Sequence, residues 1–203
     1  MALLRENAMT ARIATALAGC FMLLVSASSS AEDSVTYPLY AGFALGFASA
    51  GSSCYYYSYD CDSTDTTFKF YAGKRLHENF GVEIAYHDLG KLRTYNFFSS
   101  TTAESDGINL SLLGIIPVSN QGYFYGKAGY MWWDADYTRS GNSTETSDEE
   151  GSDFTYGAGF AFTFSPDYDF RIEYERLNEL GEDFTGGGAA VTVLYFAGSI
   201  NFH

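Results

Sequence analysis

The sequence has few basic residues. Lysine and arginine together number 11, against 25 aspartates and glutamates, and the formal net charge is −14 for 203 residues. Proteins that bind nucleic acid neutralise the phosphate backbone with clusters of lysine and arginine. Because such clusters are absent here, the sequence argues against nucleic acid as a partner.

The one marked apolar run, residues 13–25, is shorter than the about 20 residues that a membrane-spanning helix needs. It follows a short basic region and leads into a string of small residues that ends at Ala31. This order is typical of a secretory signal peptide. We therefore predict a signal peptide over 1–31, with Ala27 as an alternative cleavage site, and a single domain over 32–203.

Cysteine is scarce, with three residues in the whole chain. Cys20 completes a segment that resembles a lipobox, but the apolar core of the leader continues past it, which argues against lipidation. Cleavage of the leader leaves Cys54 and Cys61, six residues apart, in an oxidising compartment. We predict a disulfide between them that fixes the tip of a loop, the alternative being two free thiols.

No helical period, heptad or internal repeat is present in the mature sequence. Instead, eight segments alternate with a period of two, and the large apolar residues of each fall on one parity. The segments are 39–48, 67–76, 80–87, 107–116, 123–133, 154–164, 170–177 and 191–203. Three short connections alternate with long polar ones at 50–66, 88–106, 134–153 and 178–190. The pattern predicts an all-β, eight-stranded antiparallel up-and-down transmembrane barrel.

The two faces of these segments distinguish a membrane barrel from a soluble cup. One parity holds small residues and several charges, whereas the other is large, apolar and nearly free of charge. A soluble cup has the opposite arrangement, and soluble monomers do not expose so much apolar area. We predict that lipid surrounds the large residues. Aromatic girdles near the strand ends are predicted to include Tyr37, Tyr86, Tyr123, Tyr130, Trp132 and Tyr174.

The chain ends in an alternating strand without charge or proline. An open edge of this kind invites aggregation, so we expect the strand at 39–48 to pair with it and close the ring. Ile200 and Phe202 are expected to face lipid near the periplasmic rim. They resemble the C-terminal signal by which outer-membrane barrels are recognised for insertion.

Three sets of residues resemble strands of the OmpA-type transmembrane domain: GVEIAY at 81–86, YGKAG at 125–129 followed by WDAD at 133–136, and RIEY at 171–174. The resemblance extends over essentially the whole mature chain. It implies the barrel alone, without the periplasmic peptidoglycan-binding domain of many members. It also implies a monomer in the outer membrane of a Gram-negative bacterium, in contact with lipid, lipopolysaccharide and the barrel-insertion machinery, with a role in envelope integrity and no cofactor.

The same resemblance implies a plug of charged residues inside the barrel, which some members open to pass ions. Glu83, Lys127 and Glu173 match plug positions, and Arg171 lies beside Glu173 on the same face. The family's lysine on the fourth strand corresponds to Leu113, which removes one cationic partner. We predict a closed plug in which Glu83 and Glu173 share Lys127 and Arg171. The alternative is a small ion-conducting pore gated by these salt bridges.

The long connections are acidic, and one carries a tyrosine run at 55–57. We expect them to be available to an extracellular ligand. None has the ligand spacing of a calcium loop, so no metal site is predicted, although divalent cations could bridge the acids to lipid headgroups. Neither His77 nor His87 is followed two residues later by serine, the pairing of barrel-type lipid A deacylases. We therefore predict no catalytic site, and a lipid-modifying enzyme is the third alternative.

Overall fold

The computed structural model of the chain describes residues 37–50, 60–62, 64–95, 100–140, 144–180 and 189–203. The predicted signal peptide lies outside these residues, as do Cys54 and the tyrosine run. The side chain of Cys61 is likewise outside the description, so the disulfide stays a prediction. Within the described ranges, no helix is long and apolar enough to cross a membrane.

Eight long strands and one short strand make up the fold. They are β1 (Leu39–Ala50), β2 (Asp60–Asp62), β3 (Thr64–His77), β4 (Phe80–Tyr95), β5 (Ser100–Ser119), β6 (Gly122–Ser140), β7 (Thr144–Ser165), β8 (Tyr168–Leu180) and β9 (Ala189–Phe202). All their pairings are antiparallel, and β2 adds three residues beside the outer end of β4. The long strands pair in chain order, which is the predicted up-and-down topology.

The barrel closes where the first and last strands meet. Leu39 lies opposite Phe202 and Ala50 opposite Val191, in an unbroken antiparallel register. The pairing of β4 with β5 completes the ring. The predicted closure is therefore confirmed, and each long strand has a hydrogen-bonded neighbour on both sides. A bilayer offers no water to satisfy an unpaired edge, so a spanning sheet has to close in this way.

Side chains alternate between the interior and the outer surface as the parity of the sequence predicts. On β9, Val193 and Tyr195 are fully buried, whereas Phe196 and Ile200 are nearly half exposed to the surroundings. Tyr123 is an exception to the predicted girdle. It belongs to the inward parity of β6, is buried, and donates a hydrogen bond to Asp169 Oδ2 over 3.3 Å. The prediction for Tyr123 is wrong because the inward parity of β6 decides where its ring points, although it lies close to the strand end.

The large rings inside the barrel are accommodated by glycines directly across the neighbouring strand. The cross-strand pairs are Tyr71 with Gly42, Tyr40 with Gly73, Tyr195 with Gly46, Tyr125 with Gly159 and Trp133 with Gly151. A Cβ added to any of these glycines would overlap the ring of its partner. Alternation of large and small residues therefore fills a lumen that is too narrow for two large side chains side by side.

Four strands continue well beyond the segments that periodicity predicts. The connections predicted at 88–106 and 134–153 are wrong as loops, because most of their residues extend β4 with β5 and β6 with β7 as paired strands. A β-bulge lies at the start of the first extension, where Leu89 and Gly90 oppose one residue of β5. Gly90 has φ of 74°, which side chains rarely adopt. Leu89 follows the inward parity of β4, and the bulge shifts that parity so that Lys91 is exposed on the outside.

Candidate functional site in the barrel interior

Six charged side chains from four strands meet inside the barrel. We call them the interior network: Lys69 on β3, Glu83 on β4, Lys127 on β6, and Arg171, Glu173 and Glu175 on β8. None is more than 5% exposed. Three cations face three carboxylates, so the formal charges of the network cancel. The structure brings together all four residues predicted for the plug and adds two.

The end of the network nearer the periplasmic turns is built around Glu83. Its Oε2 accepts a hydrogen bond from Arg171 Nη1 over 3.0 Å and another, also over 3.0 Å, from the hydroxyl of Tyr40. The guanidinium of Arg171 lies 4.4 Å from the centre of the Tyr40 ring. Arg171 is therefore held by an ion pair and by cation–π contacts, which are strongest where water is absent.

Lys127 lies at the centre of the network. Its Nζ is 3.1 Å from Glu173 Oε1 and 3.5 Å from Glu83 Oε1, and it also contacts Glu175 Oε1. One ammonium group thus serves three carboxylates from two strands. Tyr125 completes the coordination of Glu173, because its hydroxyl donates to Oε2 over 2.6 Å.

Lys69 supplies the third cation. Its Nζ contacts Glu173 Oε1 and lies 2.7 Å from Glu175 Oε1. Leu113, which the resemblance predicts to replace a family lysine, is buried in an apolar cluster. Both Lys69 and Glu175 lie on the inward parity of the sequence, so parity alone could have identified them.

A histidine and a tyrosine lie beside the extracellular end of the network. His87 is fully buried, and its Nδ1 is 3.1 Å from the Tyr195 hydroxyl and 3.7 Å from Glu175 Oε2. Thr67 Oγ1 is 3.3 Å from the same hydroxyl. His87 is the last residue of the predicted segment 80–87, and the structure continues β4 beyond it to Tyr95.

The outer face of the extracellular extension carries carboxylates in rows. One row crosses four neighbouring strands, and a second lies above it on three of them. The first row consists of Asp88, Asp106, Asp134 and Glu150; the second consists of Glu104, Asp136 and Asp148. Carboxylates directly opposite one another on a sheet repel. Among the described residues, no group of acids, histidines or cysteines is arranged to hold a metal ion.

Three of these acids titrate above the ordinary range. Partial burial raises the pKa of Asp106, Asp134 and Asp136 above the usual aspartate value, and the neighbouring carboxylates raise it further. For Asp136 the strongest neighbour is Asp148, with which it also shares a side-chain hydrogen bond. The rows therefore bind protons more tightly than isolated carboxylates do.

Comparisons with known proteins place the chain among outer-membrane barrels. The family model of the OmpA-like transmembrane domain matches residues 35–195. Outer membrane protein A of Shigella dysenteriae is 23% identical over 120 residues, which is 58% of this chain and 34% of that protein. The chain thus spans about a third of the length of this curated relative.

Solved barrels show the same fold at low sequence identity. Ail, the attachment invasion locus protein of Yersinia pestis, is 15% identical with a TM-score of 0.52, covering 82% of this chain and 97% of that chain. Neisserial surface protein A is 15% identical with a TM-score of 0.54 and the same coverage. Ail in complex with the heparin analogue sucrose octasulfate gives 14% identity and a TM-score of 0.51, with 82% and 97% covered.

Proposed function

This chain belongs to the family of OmpA-like transmembrane domains, and from that premise we propose that it is a closed barrel with a structural and surface-display role in the envelope. It lies in the outer membrane, in contact with lipid and lipopolysaccharide. The interior network acts as a polar plug, and the extracellular extension presents a surface to ligands or neighbouring cells. The observation that carries this proposal is the cancellation of charge among six buried side chains.

Charge cancellation favours a closed interior for an energetic reason. A charge taken out of water is costly, and the cost is recovered only where partners and hydrogen bonds satisfy it. Each carboxylate of the network contacts at least two cationic or hydroxyl groups. A network of this kind leaves no net charge that would attract ions into the lumen.

A small ion-conducting pore is the second candidate, and one observation favours it. Lys127 contacts carboxylates on two strands, so it has alternative partners to which it could shift. Opening would require the network to rearrange. Recordings in planar bilayers separate the two functions: we expect the refolded wild-type protein to show no steady current, and steady conduction would refute the closed barrel.

Ligand binding at the extracellular extension is part of the proposal. The Ail complex contains a sulfated heparin analogue, which is a polyanion. Here the outer face of the extension is acidic and would repel such a molecule. We expect a neutral or cationic ligand instead, and we expect the folded protein to pass through a heparin column unretained at low ionic strength.

We assign no catalytic role to the chain. The named relatives are outer-membrane barrel proteins, and His87 is fully buried inside the barrel, away from its lipid-facing surface. Incubation of refolded protein with lipopolysaccharide tests this point, since any released acyl chain would contradict it.

A further inference from the structure

A second group of side chains fills the barrel on the extracellular side of the interior network. We call it the apolar layer; it consists of Leu89, Met131, Trp133, Leu177, Val191 and Val193. Along its own strand, Leu177 follows Glu175 towards the cell exterior, and Met131 follows Lys127. The layer therefore lies between the charges and the outside of the cell.

The apolar layer is closed to solvent. Met131 and Val193 have no exposed surface, Leu177 is 1% exposed and Trp133, the most exposed member, is 7% exposed. All six belong to one packed cluster. Water that enters from the extracellular end would have to pass these side chains before it reached Lys127.

The position of Trp133 is fixed by two contacts. Its indole lies over Gly151 on the neighbouring strand, where any Cβ would overlap the ring. Its Nε1 donates a hydrogen bond to Asp153 Oδ2 over 3.1 Å. The ring is thereby held across the lumen with its one polar atom satisfied at the wall.

Polar side chains near the layer do not offer a path through it. Asn109 lies opposite Met131 in the pairing of β5 with β6. Its Nδ2 donates to Thr155 Oγ1 over 2.7 Å, and its Oδ1 accepts from Ser111 Oγ over 2.6 Å. These groups satisfy one another along one wall, so they do not need water in the lumen.

We propose that the apolar layer is a hydrophobic gate that keeps the barrel shut independently of the interior network. Hydrophobic constrictions close pores because water leaves them, and an ion without water does not cross. The two barriers lie in series along one lumen, so disruption of the charges alone leaves the path blocked. This inference rests on the proposed function, because it concerns how the closed interior is maintained.

Bilayer recordings on a set of matched variants test the gate. Lys127→Ala disrupts the network, Leu177→Ser with Val193→Ser makes the layer polar, and Leu177→Ala with Val193→Ala removes similar volume without adding a hydroxyl. We expect Lys127→Ala alone to remain silent. Lys127→Ala combined with the serine pair should give stepwise single-channel currents. Lys127→Ala combined with the alanine pair should give no current.

The outcomes distinguish the gate from the proposed function. Steady conduction by the wild type would refute the closed barrel itself. A silent wild type with a conducting Lys127→Ala variant would refute the gate and leave the closed barrel standing. Equal conduction by the serine and alanine combinations, or silence of the folded serine combination, would also refute the gate. Folding of each variant is checked by its compact mobility on gels without boiling.

Fluorescence gives a readout that does not depend on current. The chain has two tryptophans, so Trp132→Phe leaves Trp133 as the only tryptophan, which is excited selectively at wavelengths that tyrosine does not absorb. In this background we expect short-wavelength emission that acrylamide does not quench. The single change Val193→Ser should move the emission to longer wavelength and admit the quencher. Efficient quenching of Trp133 in the otherwise unaltered barrel would refute the gate.

Discussion

At the scale of single residues, Lys127 is the most demanding position in the interior. It is buried, and it contacts three carboxylates that are themselves buried away from solvent. Lys91 gives a useful contrast. It also pairs with a carboxylate, Glu104 Oε1 over 2.6 Å, but both side chains are about half exposed to solvent.

Lys127→Met is expected to lower the free energy of unfolding by about 3–5 kcal/mol, because it leaves buried carboxylates short of a cation. Urea titration of the barrel in lipid vesicles measures the change. Lys91→Met is the control and should cost about 1 kcal/mol or less, as exposed pairs do. Adding Glu175→Gln to Lys127→Met should recover part of the loss. Equal urea midpoints for Lys127→Met and the wild type would contradict the stabilising role of Lys127.

The residues of the interior network show what sequence could and could not predict. Glu83, Lys127 and Glu173 are predicted by resemblance to a family and Arg171 by its place beside Glu173 on the same face, and the structure brings the four together. Lys69 was missed because its strand carries no matching motif. Its contacts also depend on which strands face each other across the lumen. Strand periodicity does not specify which residues of those strands come within contact distance.

At the scale of the strand, the extracellular extension of β4 to β7 has a feature that ordinary sheets avoid. Acidic side chains lie opposite one another on its outer face, Asp106 with Asp134 and Asp134 with Glu150. Their mutual repulsion weakens the pairing when all are ionised. Protonation of some of them relieves it.

The extension should therefore be more stable in mild acid than at neutral pH. A carboxyl whose pKa is raised in the folded state binds its proton more tightly there than in the unfolded state. As the pH falls through the raised pKa of Asp106 and Asp134 towards the usual aspartate value, folding gains free energy, and the gain is absent at higher pH. Hydrogen exchange of the extension amides should slow accordingly.

Asp134→Asn provides the control for this prediction. It removes the middle charge of the first row, so exchange near neutral pH should slow and its dependence on pH should weaken. Added salt should act in the same direction in the wild type by screening the carboxylates. An extension whose exchange slows as pH rises, after correction for intrinsic rates, would contradict the prediction.

The extension also shows why strand ends are hard to predict. Within the membrane, lipid and lumen impose opposite side-chain chemistry on the two faces, and the alternation is visible in the sequence. Beyond the membrane both faces meet water at the tip, where the neighbouring residues Thr146 and Ser147 are both exposed and show no such contrast. The strands there are continued by backbone pairing, which leaves little trace in composition.

At the scale of the whole molecule, the pairing of β1 with β9, which we call the seam, closes the sheet into a barrel. Phe202 pairs with Leu39 at the periplasmic end of the seam, and its ring is half exposed on the outer surface. Ile200 lies on the same outward face. These residues are therefore accessible to assembly factors before the ring closes.

Removal of Phe202 and His203 should impair assembly more than stability. The truncation deletes one backbone pair of a twelve-residue register but takes away the outward aromatic of the predicted insertion signal. The yield of compact, heat-modifiable barrel in membranes measures assembly, and urea titration of the purified fraction measures stability. Deletion of His203 alone is the control. Normal membrane insertion of the doubly truncated protein would contradict the role of Phe202.

The strands are longer than the membrane is thick, so part of the barrel wall stands above the membrane surface. A strand of 20 residues such as β5, rising about 3.3 Å per residue and tilted by about 40°, climbs about 50 Å along the barrel axis. The apolar band of such barrels is only about 25 Å tall. Roughly half of the strand therefore projects beyond the apolar band as part of a paired, rigid sheet. A ligand or neighbouring cell that binds at its upper end is held at a distance from the lipid headgroups.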